Sequence, residues 1–339
     1  MNTSEHSPDR RPQPFVSREF VTPRVVMSAC IELEACRHNG HRIADSFIRR
    51  LLPHIHLEPI CPEVEIGLGV PRDPVRLVGD GDQARLIQPS TERDLSESMH
   101  RFADRFLDTL GPVDGIILKS GSPSCGIKGV RVYASEDRGA AVLRTRPGLF
   151  AGHVLDRYSD LALESEGRLR NYPIRHNFLT QLYAYADLRQ LAEARRPSEL
   201  ADFQRRHKHL LMTYDQKKMR ILGRIAANAG ARDWEESFCE YASVFRQALQ
   251  KMPGHGSYIN SLTHMYGHFK TRLSTAESDD FLYLLDQYAE HRLPLHALLA
   301  VVRSWCSRFH YEYFADQSLL EPYPHELIQM RDSGKGIDF

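Results

Sequence analysis

The chain has 339 residues, of which 42% are hydrophobic and 26% are charged, and its formal net charge is zero. This length exceeds one typical core and predicts two domains, and the composition is that of a globular protein. No apolar run is long enough to span a bilayer, so we expect no membrane-spanning helix. Because the net charge is zero, only local clusters of charge can indicate a nucleic-acid partner.

The first 20 residues are polar, rich in proline and arginine, and contain no apolar segment of the kind found in signal peptides. We therefore expect a disordered tail over 1–20 and a cytoplasmic protein. In that reducing compartment, cysteines are expected as thiols or metal ligands rather than disulfides. Four of the six cysteines lie in the first half of the chain and two lie alone in the second: Cys30, Cys36, Cys61 and Cys125, then Cys239 and Cys306.

Strands and helices alternate over 21–170. Arg24–Ser28 is a short β-rich run, and Gly115–Leu118 has the continuous apolar pattern of a buried strand. This alternation predicts an α/β, Rossmann-like domain with parallel strand pairs. The other predicted elements are a helix at Ala44–Leu52, a strand at Leu57–Ile60, a hairpin of Val75–Val78 and Ala84–Ile87 across Gly79–Asp82, an amphipathic helix at Leu95–Leu110, and strands at Val130–Tyr133 and Ala140–Leu143.

Three cysteines, Cys30, Cys61 and Cys125, each follow a different predicted strand. In parallel sheets, functional groups gather in loops at the carboxyl ends of the strands. A single cysteine there is most often a small buried hydrophobe, but three such loops make that reading weaker. No CxxC pair indicates a zinc finger or a thioredoxin site, and thiolates from distant loops suit an iron–sulfur cluster. On the residues alone, buried cysteines and a cluster both remain open.

From Asn171 onward the pattern is entirely helical. We expect a helical connector over 171–195, an all-helical domain over 196–325 and a C-terminal tail over 326–339. The boundary lies near Arg195–Pro197, where two arginines precede a proline. The predicted helices are Asn177–Leu191, Leu200–Ala227, Trp234–Gln250, Ile259–Leu273, Glu277–Glu290 and Pro294–Phe314.

The stretch Ala201–Gly230 carries many more cations than acids, and Arg220 and Arg224 belong to it. Such a helix can lay its cations along phosphates, although a charge run is by default a solvated helix face. Nearby aromatic residues favour RNA, because aromatic rings beside cations stack on exposed bases, and some of these rings are expected in the core. Those aromatic and imidazole groups are Tyr214, Tyr266, His268 and Phe269. The predicted RNA-binding residues are Arg205, Arg206, Lys208, Lys217, Lys218 and Lys270.

Motifs in both halves are recognisable. The first half contains SAC at 28–30, CRHNG at 36–40, CPE at 61–63 and KSGSPSCG at 119–126. These resemble the thiouracil desulfidases. The second half contains RHKH at 206–209, DQK at 215–217 and YGHFK at 266–270, and it resembles a domain fused to some of them. The two-domain arrangement is similar to that of the transfer-RNA 4-thiouridine desulfidases. IELE at 31–34 and His38 depart from the usual family pattern, which puts substrate preference in question.

The resemblance implies a [4Fe–4S] cluster held by three cysteines, with one iron open. Cys30, Cys61 and Cys125 are the expected ligands, and Cys36 is the substitute because it lies close to Cys30 in sequence. Glu63 is expected to transfer protons, and its alternative reading is a surface or helix N-terminal carboxylate. Ser122 and Ser124 are expected to hydrogen-bond the base or the sulfide, or else to form a turn around Pro123. Arg72 is expected to form a local ion pair without a role in catalysis.

The sequence therefore predicts an enzyme: a hydrolytic, non-redox desulfidase that converts 4-thiouridine in tRNA, or free thiouracil or thiouridine, and releases sulfide. An open iron could bind the exocyclic sulfur and polarise the ring carbon for attack by water. No membrane or DNA partner is expected. The alternative is a cluster-bearing or zinc-bearing RNA-binding regulator without catalysis. Radical chemistry is disfavoured because the chain has no CxxxCxxC motif.

Overall fold

The computed structural model of the chain describes residues 18–79 and 84–330, which divide into two compact units. The α/β unit comprises Phe20–Arg195 and the segment that starts at Tyr323, and the helical unit comprises Arg196–Pro322 with Arg18 and Glu19. Within the described residues, no helix has the length and apolar character needed to cross a membrane. Most of the predicted N-terminal tail (1–17), the hairpin tip (80–83) and the end of the predicted C-terminal tail (331–339) fall outside the described residues.

The α/β unit follows the predicted alternation of strands and helices. Its described strands are β1 (Arg24–Ser28), β2 (His56–Ile60), β3 (Arg76–Val78), β4 (Arg85–Gln88), β5 (Arg93–Asp94), β6 (Gly115–Leu118), β7 (Val130–Tyr133), β8 (Val142–Arg146) and β9 (Ala162–Ser165). Its described helices are α1 (Ser46–Leu51), α2 (Pro62–Glu65), α3 (Ser96–Thr109), α4 (Leu149–Tyr158) and α5 (Tyr172–Ala194).

A parallel sheet with the strand order β2-β1-β6-β9 forms the centre of the unit. β6 is buried along its whole length, and β1 is buried apart from its first residue, which explains their apolar sequences. The predicted α/β fold is confirmed. Because neighbouring strands run parallel, the carboxyl ends of β1, β2 and β6 meet at one edge of the sheet.

A second sheet has the order β5-β4-β3-β7-β8 and mixes parallel and antiparallel pairs. β3 and β4 pair antiparallel, as the predicted hairpin requires, and β3 pairs parallel with β7. Helices α3 and α4 pack together beside it, with the rings of Phe102 and Phe150 6.0 Å apart. This packing buries the apolar face that the pattern of α3 predicted.

Helix α5 is an integral part of the α/β unit, which corrects the expectation of a connector over 171–195. Most of its residues are buried, and it packs on β9. A Cβ added to Gly115 in β6 would lie 2.6 Å from Leu182 of α5, so the helix approaches the sheet closely. Arg189 of α5 also donates to the buried Asp114 at 3.0 and 3.1 Å. A helix buried on this many sides fills a core rather than joining two domains.

The helical unit contains, among its described residues, α6 (Pro197–Tyr214), α7 (Gln216–Asn228), α8 (Trp234–Leu249), α9 (His255–Phe269), α10 (Thr275–Ala289), α11 (Leu295–Phe309) and α12 (Glu312–Ala315). The predicted helix Leu200–Ala227 is wrong as one element, because it breaks at Asp215. There the backbone is extended, and the carboxylate accepts from the Lys218 amide at 3.0 Å as the N-cap of α7. The predicted helix Pro294–Phe314 likewise ends at Phe309, where His310 takes a left-handed conformation with φ of 49°.

Candidate active site

A cavity of about 330 Å³ lies at the carboxyl ends of β1, β2 and β6, and all four N-terminal cysteines line it. Cys30 follows β1 by two residues, Cys61 follows β2 directly, and Cys125 lies in the loop after β6. Cys36 comes from the same loop as Cys30. The structure thus brings together the three predicted ligands and the predicted substitute. The other lining residues are Ser28, Arg37, His38, Ile60, Pro62, Glu63, Arg72, Pro74, Val75, Lys119, Ser120, Gly121, Ser122 and Pro123.

The thiols interact with one another. The neighbouring Cys30 thiol, followed by burial, raises the pKa of Cys36 to about 11, and the Cys61 thiol lies 3.8 Å from the Cys36 carbonyl oxygen. The hydrogen bond with Cys36, followed by burial, raises the pKa of Cys61. Burial, followed by the nearby Glu63 carboxylate, raises the pKa of Cys125. Crowded thiols keep their protons because neighbouring negative charges repel, whereas a bound metal cation reverses that preference.

Glu63 lies in α2, two residues after Cys61, and its two carboxylate oxygens have separate partners. Oε2 accepts from Arg72 Nε at 2.9 Å and Nη2 at 2.8 Å. Oε1 accepts from Ser124 Oγ at 3.0 Å and Ser122 Oγ at 3.4 Å. The three predicted catalytic residues therefore form one hydrogen-bonded group, which lies beside the cysteines.

The loop that carries Cys125 is fixed on several sides. Ser122 Oγ accepts from the backbone N–H groups of Ser124 and Cys125 at 3.2 and 3.1 Å. The first turn of α4 donates to the same loop, since the amides of Leu149 and Ala151 reach the carbonyls of Pro123 and Ser124, both at 3.0 Å. Gly148 permits this approach, because a Cβ there would lie 2.5 Å from the Ser124 carbonyl oxygen. Ser122 therefore shapes the turn, as one of its two predicted readings has it, and it also contacts Glu63.

A second ion pair, Lys119 with Glu166, lies at the cavity. Lys119 Nζ is 2.9 Å from Glu166 Oε1, and Ser120 donates to the same carboxylate through its amide and its hydroxyl, both at 2.7 Å. Burial opposes ionisation of Glu166, but Lys119 and these hydrogen bonds hold its pKa below the ordinary value. Lys119 thus lines the same cavity as the thiols and is paired with a carboxylate.

The four thiols that line the cavity are a donor set that fits an iron–sulfur cluster. Over 18–79 and 84–330, no three histidine, cysteine or acidic side chains are placed to hold one metal ion. A multinuclear cluster is wider, because each of its protein ligands binds a different metal atom. Soft thiol donors from separate loops around one cavity are the ligands that such clusters use.

The predicted RNA-binding residues of the helical unit differ in exposure and pairing. Arg205 donates to Asp316 at 2.9 and 2.6 Å, and Lys218 pairs with Asp215 at 2.8 Å. Arg206 is half-buried. Lys208, Lys217 and Lys270 are exposed and have no ion pair among the described side chains.

Two exposed arginines join Lys217 on α7. Lys217, Arg220 and Arg224 follow one another at three- and four-residue spacing and so lie on one helix face. We define these three residues as the α7 stripe. None of them forms an ion pair with another described residue.

Two of the four residues expected to stack on bases lie in the core. Phe269 is fully buried, and Tyr266 packs between Phe281 and Trp305 with ring centroids 5.6 and 6.3 Å away. These two rings cannot meet a base, which corrects that part of the expectation; Tyr214 is half-buried and His268 is exposed.

Arg72 and Glu166 are site residues to which sequence reasoning assigns no role in the site. The local ion pair expected for Arg72 is present, and its partner is Glu63. Glu166 follows β9, a strand of mixed polarity that the sequence pattern does not predict. Nine residues separate Arg72 from Glu63 and 46 separate Glu166 from Ser120, so only the fold brings them together.

Residues 25–166 match the family model of 2-thiouracil desulfurase, and residues 208–324 match a family of unknown function, DUF1722. The chain is 30% identical over 110 residues to the uncharacterized protein YbbK of Bacillus subtilis (strain 168), covering 30% of this chain and 72% of YbbK. It is 24% identical over 161 residues to the uncharacterized protein YbgA of Escherichia coli (strain K12), covering 46% of this chain and 93% of YbgA. A solved structure described as the [4Fe-4S]-dependent thiouracil desulfidase TudS matches with a TM-score of 0.34 and 24% identity, covering 44% of this chain and 93% of that one. Through residues 25–166, the chain belongs to the 2-thiouracil desulfurase family.

Proposed function

We propose that this protein is a thiouracil desulfidase that replaces the exocyclic sulfur of a thiolated uracil with oxygen from water. Membership of the 2-thiouracil desulfurase family supports desulfidation. The observation that carries the proposal is the convergence of the cysteine loops with Glu63 and Ser122 on one cavity, where Ser124 hydrogen-bonds to Glu63.

Cys30, Cys61 and Cys125 would hold a [4Fe–4S] cluster, since they come from three loops that meet at the sheet edge. When bound, such a cluster with an open iron supplies a thiophilic Lewis acid for the exocyclic sulfur. Cys36 lines the same cavity as Cys30 and Cys61, so it is the thiol that would replace either of them.

Glu63 accepts the proton that water loses as its oxygen attacks the ring carbon. The carbon–sulfur bond then breaks as the added hydroxyl becomes a carbonyl and loses its proton to solvent, and sulfide leaves with the proton that Glu63 held. The reaction consumes one water and requires no electrons. Ser124 and Ser122 hold Oε1 of Glu63, which keeps the carboxylate aimed along one direction. Such a positioned proton-transfer group contributes about 10²- to 10⁴-fold in rate.

The proposed substrate is 4-thiouridine within tRNA. The support is the α7 stripe with Lys208 and Lys270, all exposed cations in the unit that matches DUF1722. Cations on a helix face attract phosphates without reading sequence, as suits an enzyme whose specificity lies in a separate pocket.

The test is anaerobic purification and reconstitution, followed by assays on thiolated tRNA, 4-thiouridine and free 4-thiouracil. We expect brown protein with about four iron and four sulfide per chain, and release of one sulfide for each thiocarbonyl consumed. Zinc-loaded protein is the control and should release none. A folded, colourless protein that binds tRNA and leaves the thiocarbonyl intact would contradict the proposal and support a regulator without catalysis.

A further inference from the structure

Arg72 is the most extensively bonded side chain at the cavity. Only 4% of its side chain is exposed. Besides its two hydrogen bonds to Glu63, its Nη1 donates to the carbonyls of Cys36 at 3.0 Å and Gly69 at 2.9 Å. Its Nη2 also lies 3.9 Å from Cys61 Sγ. One guanidinium thus contacts the proton-transfer residue and the segments that carry two of the thiols.

These contacts fix the orientation of the Glu63 carboxylate. The guanidinium binds Oε2 through two donors and leaves Oε1 to the two serines. A planar guanidinium holds a carboxylate in one plane, whereas a lysine ammonium would act as a point charge and permit rotation. An arginine is therefore required at this position for Oε2 of Glu63 to bind the guanidinium while Oε1 binds the serines.

The same residue closes the loop that contains Cys36. The Arg72 amide donates to the His38 carbonyl at 2.8 Å, and its side chain donates to the Cys36 carbonyl. The loop is thereby attached to the segment around Arg72 at two points. Because the Cys61 thiol lies 3.8 Å from the same Cys36 carbonyl oxygen, the attachment also bears on the position of Cys61 relative to the Cys36 loop.

Stability alone does not account for this buried ion pair. Removing two charges from water is costly, and apolar residues of similar volume often give equal or greater stability. The Arg72 guanidinium bonds both to the Glu63 carboxylate and to the loop that contains Cys36, so its effect is to fix the positions of these two groups.

We propose that Arg72 is a positioning residue, which binds Oε2 of Glu63 so that Oε1 is left to the two serines and to proton transfer, and which keeps the Cys36 loop closed against Cys61. This inference rests on the proposed function for its effect on turnover, but its effect on the thiols is independent of any activity.

The experiment compares Arg72→Lys and Arg72→Met with the wild-type protein and with Arg168→Lys. Arg168 binds Glu164 through two hydrogen bonds of 2.8 and 3.1 Å but does not line the cavity, so it is a matched control. The first measurement is the rate of iodoacetamide labelling of each cysteine in the metal-free protein, located by mass spectrometry.

Both Arg72 variants should label faster than wild type at Cys36 and Cys61, by roughly tenfold or more, because a charged hydrogen bond no longer holds the loop. Labelling of Cys125 should not change, since its loop is held by α4. Arg168→Lys should label like wild type. Unchanged labelling of Cys36 and Cys61 in both Arg72 variants would overturn the positioning of the loop, whether or not the protein desulfidates anything.

The second measurement is a double-mutant cycle in the reconstituted enzyme. Arg72→Lys should lower kcat by about 10²-fold with little change in KM, the order of effect expected when a reacting group is displaced by about 1 Å. Added to Glu63→Gln, the same substitution should lower kcat much less, because its effect passes through Glu63. If the activation free-energy changes of Arg72→Lys and Glu63→Gln are additive in the double variant, Arg72 does not act through Glu63 and the inference is wrong. Arg72→Met repeats the cycle without a positive charge, so that an unstable lysine variant does not leave the question open.

Discussion

The cavity of the α/β unit and the basic surface of the helical unit arrange their charges in opposite ways. In the cavity, Arg72 and Lys119 each have a carboxylate partner and are mostly buried. The cations of the α7 stripe are exposed and have no ion pair among the described side chains. Bond cleavage requires groups held at fixed distances, whereas attraction of a polyanion requires only charge near a surface. Single substitutions in the cavity should therefore cause large losses of turnover. Substitutions on the helices should instead weaken tRNA binding in small steps that depend on salt concentration.

The largest expected effect is that of Cys125→Ala, which should abolish both iron binding and desulfidation. Cys125 is buried at the cavity and is one of the three proposed ligands. The measurements are iron content, visible absorbance and sulfide release after anaerobic reconstitution. Cys239→Ala is the control, because Cys239 is exposed in the helical unit and should change none of the three. A Cys125→Ala protein with its full iron would show that the ligand set is wrong.

Glu63→Gln should retain the cluster and lose about 10²- to 10⁴-fold in kcat, because glutamine cannot accept the proton that a carboxylate accepts. Single-turnover desulfidation of 4-thiouracil measures the loss, and iron content confirms that the cluster is present. Glu164→Gln is the control, since Glu164 also binds an arginine but lies outside the cavity. A brown Glu63→Gln protein with wild-type turnover would reassign Glu63 to a structural role.

A smaller, graded effect is expected when the cations of the helical unit are removed. Substituting the α7 stripe with glutamine should weaken tRNA binding and lower the slope of log K against log salt by about one unit for each phosphate interaction that disappears. Desulfidation of free 4-thiouracil should not change.

The matched control removes three arginines that already have glutamate partners, Arg232, Arg292 and Arg308. It changes the net charge equally and should weaken tRNA binding much less. Equal losses in the two triple variants would mean that total charge, and not the stripe, attracts the RNA. Arg205, Arg206 and Lys208 are a less suitable set for this test, because Arg205 bonds to Asp316 and its removal would perturb folding as well.

Sequence reasoning succeeds where short-range patterns decide the structure. The apolar runs of β1 and β6 and the cysteines after the strands could be predicted, because burial and strand ends leave local signals. The role of Arg72 beside Glu63 and the thiols leaves no such signal, since arginine in a loop is most often a surface residue.

Other features depend on tertiary context. β9 takes its conformation from pairing with β6, although its own sequence, ALES, is not typical of a strand. Tyr266 and Phe269 could equally have been base-stacking or core residues, and only packing against Phe281 and Trp305 decides between them. The end of α6 at Asp215 is a case in which a local signal, aspartate as an N-cap, is masked by a continuous apolar periodicity.

The assignment of Tyr323 and the residues after it to the α/β unit has a consequence for synthesis on the ribosome. His176 of α5 bonds to the Tyr323 hydroxyl at 2.7 Å, and Arg175 bonds to the Gln329 carbonyl. The main part of the helical unit, Arg196–Pro322, is therefore inserted in sequence between two parts of the α/β unit. During synthesis, Phe20–Arg195 leaves the ribosome before the segment that begins at Tyr323 and contacts α5. The α/β unit can therefore complete its packing only after the inserted helices have been translated. A chain that stops at Arg195 would leave Arg175 and His176 without these partners, so an isolated catalytic domain requires the two segments to be rejoined by a linker.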